Sequence, residues 1–135
     1  MIKVLLVDDH KLVRDGLKVL LEKDNNIKVV CEAESGEEAL EKIIKEKDLD
    51  LAIVDILLPG MSGIELTKHL TKLDSGLAIL ILSMYNDEEY IKDALNAGAK
   101  QCLSKGATSE ELHNTIAYIF SDKSCSQIKL QTNID

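Results

Sequence analysis

The sequence predicts an α/β domain: a five-stranded parallel sheet in alternating (βα)5 order. Three observations predict it. Five apolar runs, each too short for a helix, alternate with five segments of helical periodicity. Each run stops at or just before a polar residue. Four of the helical segments open on Ser, Thr or Asn followed three residues later by Glu, the pattern of a capping box. Strand–helix alternation of this kind implies right-handed crossovers and a sheet covered by helices on both faces.

The elements follow in order. Ile2 to Val7 is apolar apart from one Lys and ends at Asp8-Asp9, so it reads as a buried strand. Lys11 to Lys23 places apolar residues at 13, 17, 20 and 21, one face of a helix. Ile27 to Cys31 is rich in β-branched residues and reads as the second strand. Ser35 with Glu38 opens a helix to about Lys47, with Ala39, Leu40, Ile43 and Ile44 on its apolar face. Leu51 to Val54 is the third strand and ends at Asp55. Ser62 with Glu65 caps a helix to about Leu73, and Asp74-Ser75-Gly76 breaks the chain. Leu77 to Leu82 has no polar residue and ends at Ser83. Asn86 with Glu89 is a weaker cap before a helix to about Ala97, and Gly98 fits a C-terminal position needing positive φ. Gln101 to Ser104 is a short fifth strand ending at Lys105. Thr108 with Glu111 caps a last helix ending near Phe120. Near-continuous apolar strands fit burial on both faces of the sheet.

Residues 1–121 thus read as one domain, and 122–135 as a polar tail or the start of a linker. There are no internal repeats. Aromatics are only 3%, so the core must be aliphatic. Sixteen basic against 24 acidic residues give a net charge of −8, which argues against non-specific nucleic-acid binding. No apolar stretch approaches the ~20 residues of a membrane span. Met1 leads straight into a strand-like run rather than a signal peptide. Cys31, Cys102 and Cys125 are odd in number and lack metal spacing. Together these features point to the cytoplasm.

The chemistry is expected at the carboxyl edge of the sheet, where ligands bind in open α/β folds. Asp8 and Asp9 follow strand one, Asp55 ends strand three, Ser83 follows strand four and Lys105 follows strand five. Asp55 is the centre of this set, because a carboxylate is costly at the end of an apolar strand. Three close carboxylates repel unless a cation intervenes. A hard divalent ion held by oxygen fits, and Mg2+ is the usual one where phosphate is involved. An aspartate can attack phosphorus to form an aspartyl phosphate. Mg2+ and Lys105 can neutralise the transferred group, and Ser83 can donate a hydrogen bond to it.

These motifs resemble the receiver domain of two-component response regulators over roughly residues 2 to 120. The residues that carry the resemblance are Asp8-Asp9, Asp55 with Pro59-Gly60-Met61-Ser62-Gly63, Ser83 and Lys105. Asp8-Asp9-His10, the run Leu12-Val13-Arg14-Asp15-Gly16-Leu17 and Leu82-Ser83-Met84-Tyr85 resemble the subfamily that usually carries a helix-turn-helix DNA-binding output domain. The resemblance implies the flavodoxin-like strand order 2-1-3-4-5. It implies that Asp55 is the phosphoacceptor, and that Asp8 or Asp9, with Asp55 and the Leu57 carbonyl, holds Mg2+. Lys105 would pair with the phosphoryl group, and Ser83 would move toward it. The donor would be a sensor histidine kinase or a small acyl phosphate. Phosphorylation would change an interaction surface, with homodimerisation as one outcome. DNA would be reached only through an output domain that residues 122–135 are too few to form, so truncation from a longer regulator is expected.

Three departures from the family pattern stand out. Cys102 occupies the place three before the lysine that is often aromatic, Gly106 replaces a frequent proline, and Leu57 stands where Asn is frequent.

Blander readings compete. Asp8-Asp9 can be a solvated turn, Lys105 a surface lysine and Ser83 a loop residue. His10, His69 and His113 read as surface residues, not a metal set. Glu37-Glu38 and Glu110-Glu111 read as partners of helix dipoles. Among functions, a Mg2+-dependent aspartyl-phosphate phosphatase would need an acid where Leu57 stands. A flavodoxin-like cofactor binder would want a phosphate loop where Asp8-Asp9 would repel phosphate. A docking module that no longer accepts phosphate ranks below the switch, because the signature positions are filled. The expected function is therefore a regulatory phosphoacceptor, at most catalysing its own phosphorylation and dephosphorylation, and not an enzyme on other substrates.

Overall fold

A computed structural model of the chain describes residues 1–46, 48–74, 76–84 and 88–121. The order is β1 (Ile2–Val7), α1 (Lys11–Leu21), β2 (Ile27–Ala33), α2 (Gly36–Lys45), β3 (Leu51–Asp55), α3 (Gly63–Leu73), β4 (Ala78–Ser83), α4 (Glu88–Ala97), β5 (Gln101–Ser104) and α5 (Ser109–Ile119). The strands form one parallel sheet in the order β2-β1-β3-β4-β5. This is the flavodoxin-like, doubly wound fold expected above.

All ten elements fall where the apolar pattern places them, with ends moved by a few residues. β2 runs two residues past Cys31, because Leu6 and Val7 pair with Glu32 and Ala33. It is an edge strand, so a Glu in its last turn of pleat costs little. α1 stops at Leu21, two residues short of Lys23. Lys47, the Asn86 cap, Tyr85 and the 122–135 tail lie outside the described residues.

The predicted caps at Ser35, Ser62 and Thr108 each accept a hydrogen bond from the backbone N–H three residues on. The reciprocal bond to the cap's own N–H is made at Thr108. At α2, Glu38 reaches back one residue further, to the Glu34 N–H. Gly98 has φ +118, as its place after α4 requires.

The sheet divides the core in two. On one face Leu5, Val7, Ala52, Val54, Ile79 and Ile81 pack with α2, α3 and α4. On the other Val4, Leu6, Leu51, Ile53, Leu80 and Leu82 pack with α1 and α5. Alternate residues of one strand feed opposite faces, so both faces are dry and the central strands read as unbroken apolar runs. Cys31 and Cys102 are half-buried against the first core face, and burial raises both thiol pKa values. Among the described residues no helix is long and apolar enough to cross a membrane.

Candidate functional site

Parallel register brings the acids together. Val7 is the last residue of β1 paired with β3, opposite Val54. Asp8 and Asp55 are the next residues along on these neighbouring strands. Both are buried, at 2% and 5% exposure. Ser83 ends β4 at 1% exposure and pairs with Ser104, which places Lys105 one step beyond. The Lys105 N–H donates to the Ser83 carbonyl at 2.8 Å, so the two loops are tied.

Lys105 closes the site. Its Nζ lies 2.7 Å from Asp55 Oδ2 and 3.2 Å from Asp8 Oδ2. The other Asp55 oxygen accepts from the Leu57 N–H at 3.1 Å. Leu57 itself is exposed and turns its side chain away from the core. Asp9 is only partly covered.

Two buried carboxylates therefore share one ammonium. Burial pushes the Asp55 carboxyl above its usual range, and the neighbouring Asp8 charge adds to the push. The bonds from Lys105 and Leu57 pull the other way without cancelling it. For Lys105, burial disfavours the charge, but Asp55 and Asp8 more than offset it and hold the ammonium above its ordinary pKa. The pair is unequal: Lys105 gains from it, while ionised Asp55 stays short of positive charge.

A cation would meet that shortage. Asp8, Asp9, His10 and Asp55 each offer one ligand atom within 4.8 Å of the others. The hard carboxylate oxygens suit Mg2+, whose octahedral geometry readily keeps waters in the open positions. His10 was expected to be a plain surface residue. It is exposed, but its Nδ1 lies 3.1 Å from Asp9 Oδ1 and 3.3 Å from Asp8 Oδ1. His113 also departs from that expectation: half-buried, it contacts the Leu20 carbonyl at 2.7 Å and ties α5 to α1. His69 is exposed, as read.

The loop after Asp55 is shaped by Gly63. A Cβ there would collide with the Asp55 carbonyl oxygen and sit 2.7 Å from Ile56 Cα. The Gly63 N–H donates to the Ile56 carbonyl at 3.0 Å. α3 can therefore start directly against the end of β3. One residue, noted in the sequence only as part of the run from Leu12 to Leu17, turns out to support the site. Arg14 is buried beneath the Asp8 backbone. The available signal was its place seven residues before Leu21, on the buried face of α1.

This fold and site define a doubly wound α/β domain with a lysine-closed acidic pocket at the carboxyl edge of its sheet. Residues 4–117 match the family described as the response regulator receiver domain, and the chain belongs to that family. It is 37% identical over 121 residues to the response regulator UvrY of Escherichia coli strain K12, covering 90% of this chain and 55% of that one. It is similar in structure to a LuxR-family two-component response regulator from Aurantimonas, with a TM-score of 0.82, 31% identity and 98% of each chain covered. The receiver domain of a NarL regulator from Mycobacterium tuberculosis gives a TM-score of 0.79 at 30% identity, covering 85% of this chain and 92% of that one. The chain spans about half the length of curated relatives such as UvrY.

Proposed function

We propose that this chain is a phosphorylation-controlled switch with Asp55 as its phosphoacceptor. The observation that carries the proposal is the pairing of a buried strand-end carboxylate with Lys105 at 2.7 Å, beside a second buried acid. A carboxylate oxygen of Asp55 attacks the phosphorus of a phosphohistidine or acyl phosphate, and the donor's P–N or P–O bond breaks. Lys105 then pairs with a phosphoryl oxygen in place of ionised Asp55. The Leu57 N–H holds one Asp55 oxygen, so the carboxylate presents a fixed face. Ser83 lies at the end of the neighbouring strand, where its hydroxyl can donate to the phosphoryl group.

Asp8, Asp9 and Asp55, with the Leu57 carbonyl, would hold Mg2+. Bound there, Mg2+ supplies charge neutralisation for the transferred phosphoryl group. The partner in phosphotransfer is a sensor histidine kinase in the cytoplasm, and the role is regulatory rather than enzymatic. Residues 1–121 form the receiver unit, and 122–135 are a polar tail or the start of a linker to an output domain. A relative named as a transcriptional regulatory protein supports a transcriptional output, with DNA bound by a part outside this chain. A changed surface, including homodimerisation, carries the signal to it.

Intact mass after incubation with acetyl phosphate and Mg2+ tests the reading. One phosphoryl group is expected on the parent and none on Asp55→Asn, since an amide is a poor nucleophile. Undiminished labelling of that variant overturns the assignment. An unlabelled parent favours a docking module.

A further inference from the structure

We infer that Arg14 is a positioning residue for the acidic pair, fixing the Asp8–Asp9 peptide so that both carboxylates face Asp55. The inference rests on the proposed role of that pair in holding a divalent cation. Three observations support it. Arg14 is a buried cation in the first turn of α1, with 6% of its surface exposed. Its Nη1 donates to the Asp8 carbonyl oxygen at 2.6 Å, a buried bond. The remaining nitrogens are anchored at the end of β2: Nε bonds Glu32 Oε1 at 3.1 Å, and Nη2 lies 3.6 Å from Glu34 Oε1.

The geometry explains why the bond matters. β1 ends at Val7, so the Asp8 carbonyl is beyond the strand. The Asp8 N–H is already held by the Ala33 carbonyl at 3.1 Å. Arg14 captures the carbonyl at the other side of the same residue. That carbonyl belongs to the peptide linking Asp8 to Asp9, so its direction sets how the two side chains splay. Without a donor there, the peptide plane can turn to seek water, and the carboxylates turn with it. A guanidinium suits the task because its rigid fork reaches the carbonyl and an anchoring carboxylate at once. Lysine has no such fork. Arg14 touches none of the reacting atoms; it acts through Asp8.

Partners that orient metal ligands from behind typically change metal affinity by about 10- to 100-fold when lost. Calorimetric titration with Mg2+ of the full chain, parent against Arg14→Lys, Arg14→Gln and Glu32→Gln, tests the inference. Arg14→Gln is expected to weaken Mg2+ binding by about ten-fold or more. Arg14→Lys should restore less than half of that loss on a logarithmic scale, because one point donor cannot span both partners. Glu32→Gln, which keeps an acceptor for Nε, should lie near the parent. Acetyl phosphate labelling should need correspondingly more Mg2+ for half-maximal rate in Arg14→Gln, with the rate at saturating Mg2+ within about three-fold of the parent.

A purely structural Arg14 gives a different result. Thermal stability falls, but the folded protein binds Mg2+ with parental affinity, and that outcome overturns the inference. Full rescue by Arg14→Lys also overturns it, since a bare charge would then suffice. If Arg14→Gln does not fold, the comparison of Arg14→Lys with Glu32→Gln decides alone: equal, parental affinities in both refute the fork. A parent that binds no Mg2+ fails the proposed function instead, before any variant is compared.

Discussion

One substitution made at two glycines should move stability in opposite directions. Gly16 lies within α1, and a Cβ added there meets nothing within 4 Å. Alanine in an exposed helix interior is favoured over glycine by about 0.8–1 kcal/mol. Gly16→Ala should therefore stabilise the domain by nearly that amount. Gly63 starts α3, and a Cβ there would press on the Asp55 carbonyl oxygen and lie 2.7 Å from Ile56 Cα. Ordinary van der Waals contact begins about 0.7 Å further out. The obstructing atoms are backbone of the central strand, which cannot swing aside as a side chain would. Overpacking of this kind costs about 1–3 kcal/mol, and rigid neighbours put Gly63→Ala toward the upper end. After the gain in helix propensity, a net loss of about 2 kcal/mol remains. For a domain of this size each kcal/mol shifts Tm by about 4 °C, so Gly63→Ala should melt about 8 °C lower and Gly16→Ala about 4 °C higher. Circular dichroism during thermal and urea denaturation measures both. A Gly63→Ala protein as stable as its parent would falsify the claim that α3 is seated against the Asp55 backbone.

The raised pKa of Asp55 makes its charge a cost to the fold. Between pH 3.8 and its higher folded pKa the native state binds more protons than the unfolded chain, so this group's contribution falls as pH rises and the cost is complete above that window. In the absence of divalent ions, Asp55→Asn should therefore be more stable than the parent at neutral pH. The advantage should shrink as pH falls toward 3.8, as urea midpoints across pH will show. An advantage constant with pH would mean that another group is responsible. Leu57 bears on phosphate lifetime: it is 54% exposed and offers no amide or acid to orient an attacking water. Leu57→Asn should lose phosphate faster, by up to about ten-fold for ~1.4 kcal/mol of barrier, measured by mass after removal of donor. An unchanged decay would show that this side chain does not set the lifetime.

Much of this was legible because burial and chemistry use different residues. Strands buried on both faces leave an unbroken apolar run, so the first polar residue after each run marks the edge of the core. That logic located Asp8, Asp55, Ser83 and Lys105 one strand at a time. It could not locate what crosses between strands. The strand order came from resemblance, because alternation alone does not say which strands are neighbours. The longer β2 depends on its pairing with Leu6 and Val7, and the register shift between Val4 and Leu5 leaves no local mark. Arg14 was missed because a lone arginine in a helix normally faces water. Its anchor Glu32 is 18 residues away, on an edge strand that helix periodicity does not describe. His10 is exposed, as its position suggested, but it stands at the N-cap position of α1, and its ring reaches both acids, which surface position alone did not indicate.

The Lys105 contacts span 50 residues to Asp55 and 97 to Asp8, nearly the whole domain. During synthesis Asp55 leaves the ribosome long before Lys105. A nascent chain ending before β5 carries Asp8, Asp9 and Asp55 with no ammonium among them and with one side of β4 unpaired. The last strand to be made is thus the one that delivers the cation. An incomplete or clipped chain lacks the ammonium that joins Asp8 to Asp55, because that contact forms only with completion of the sheet.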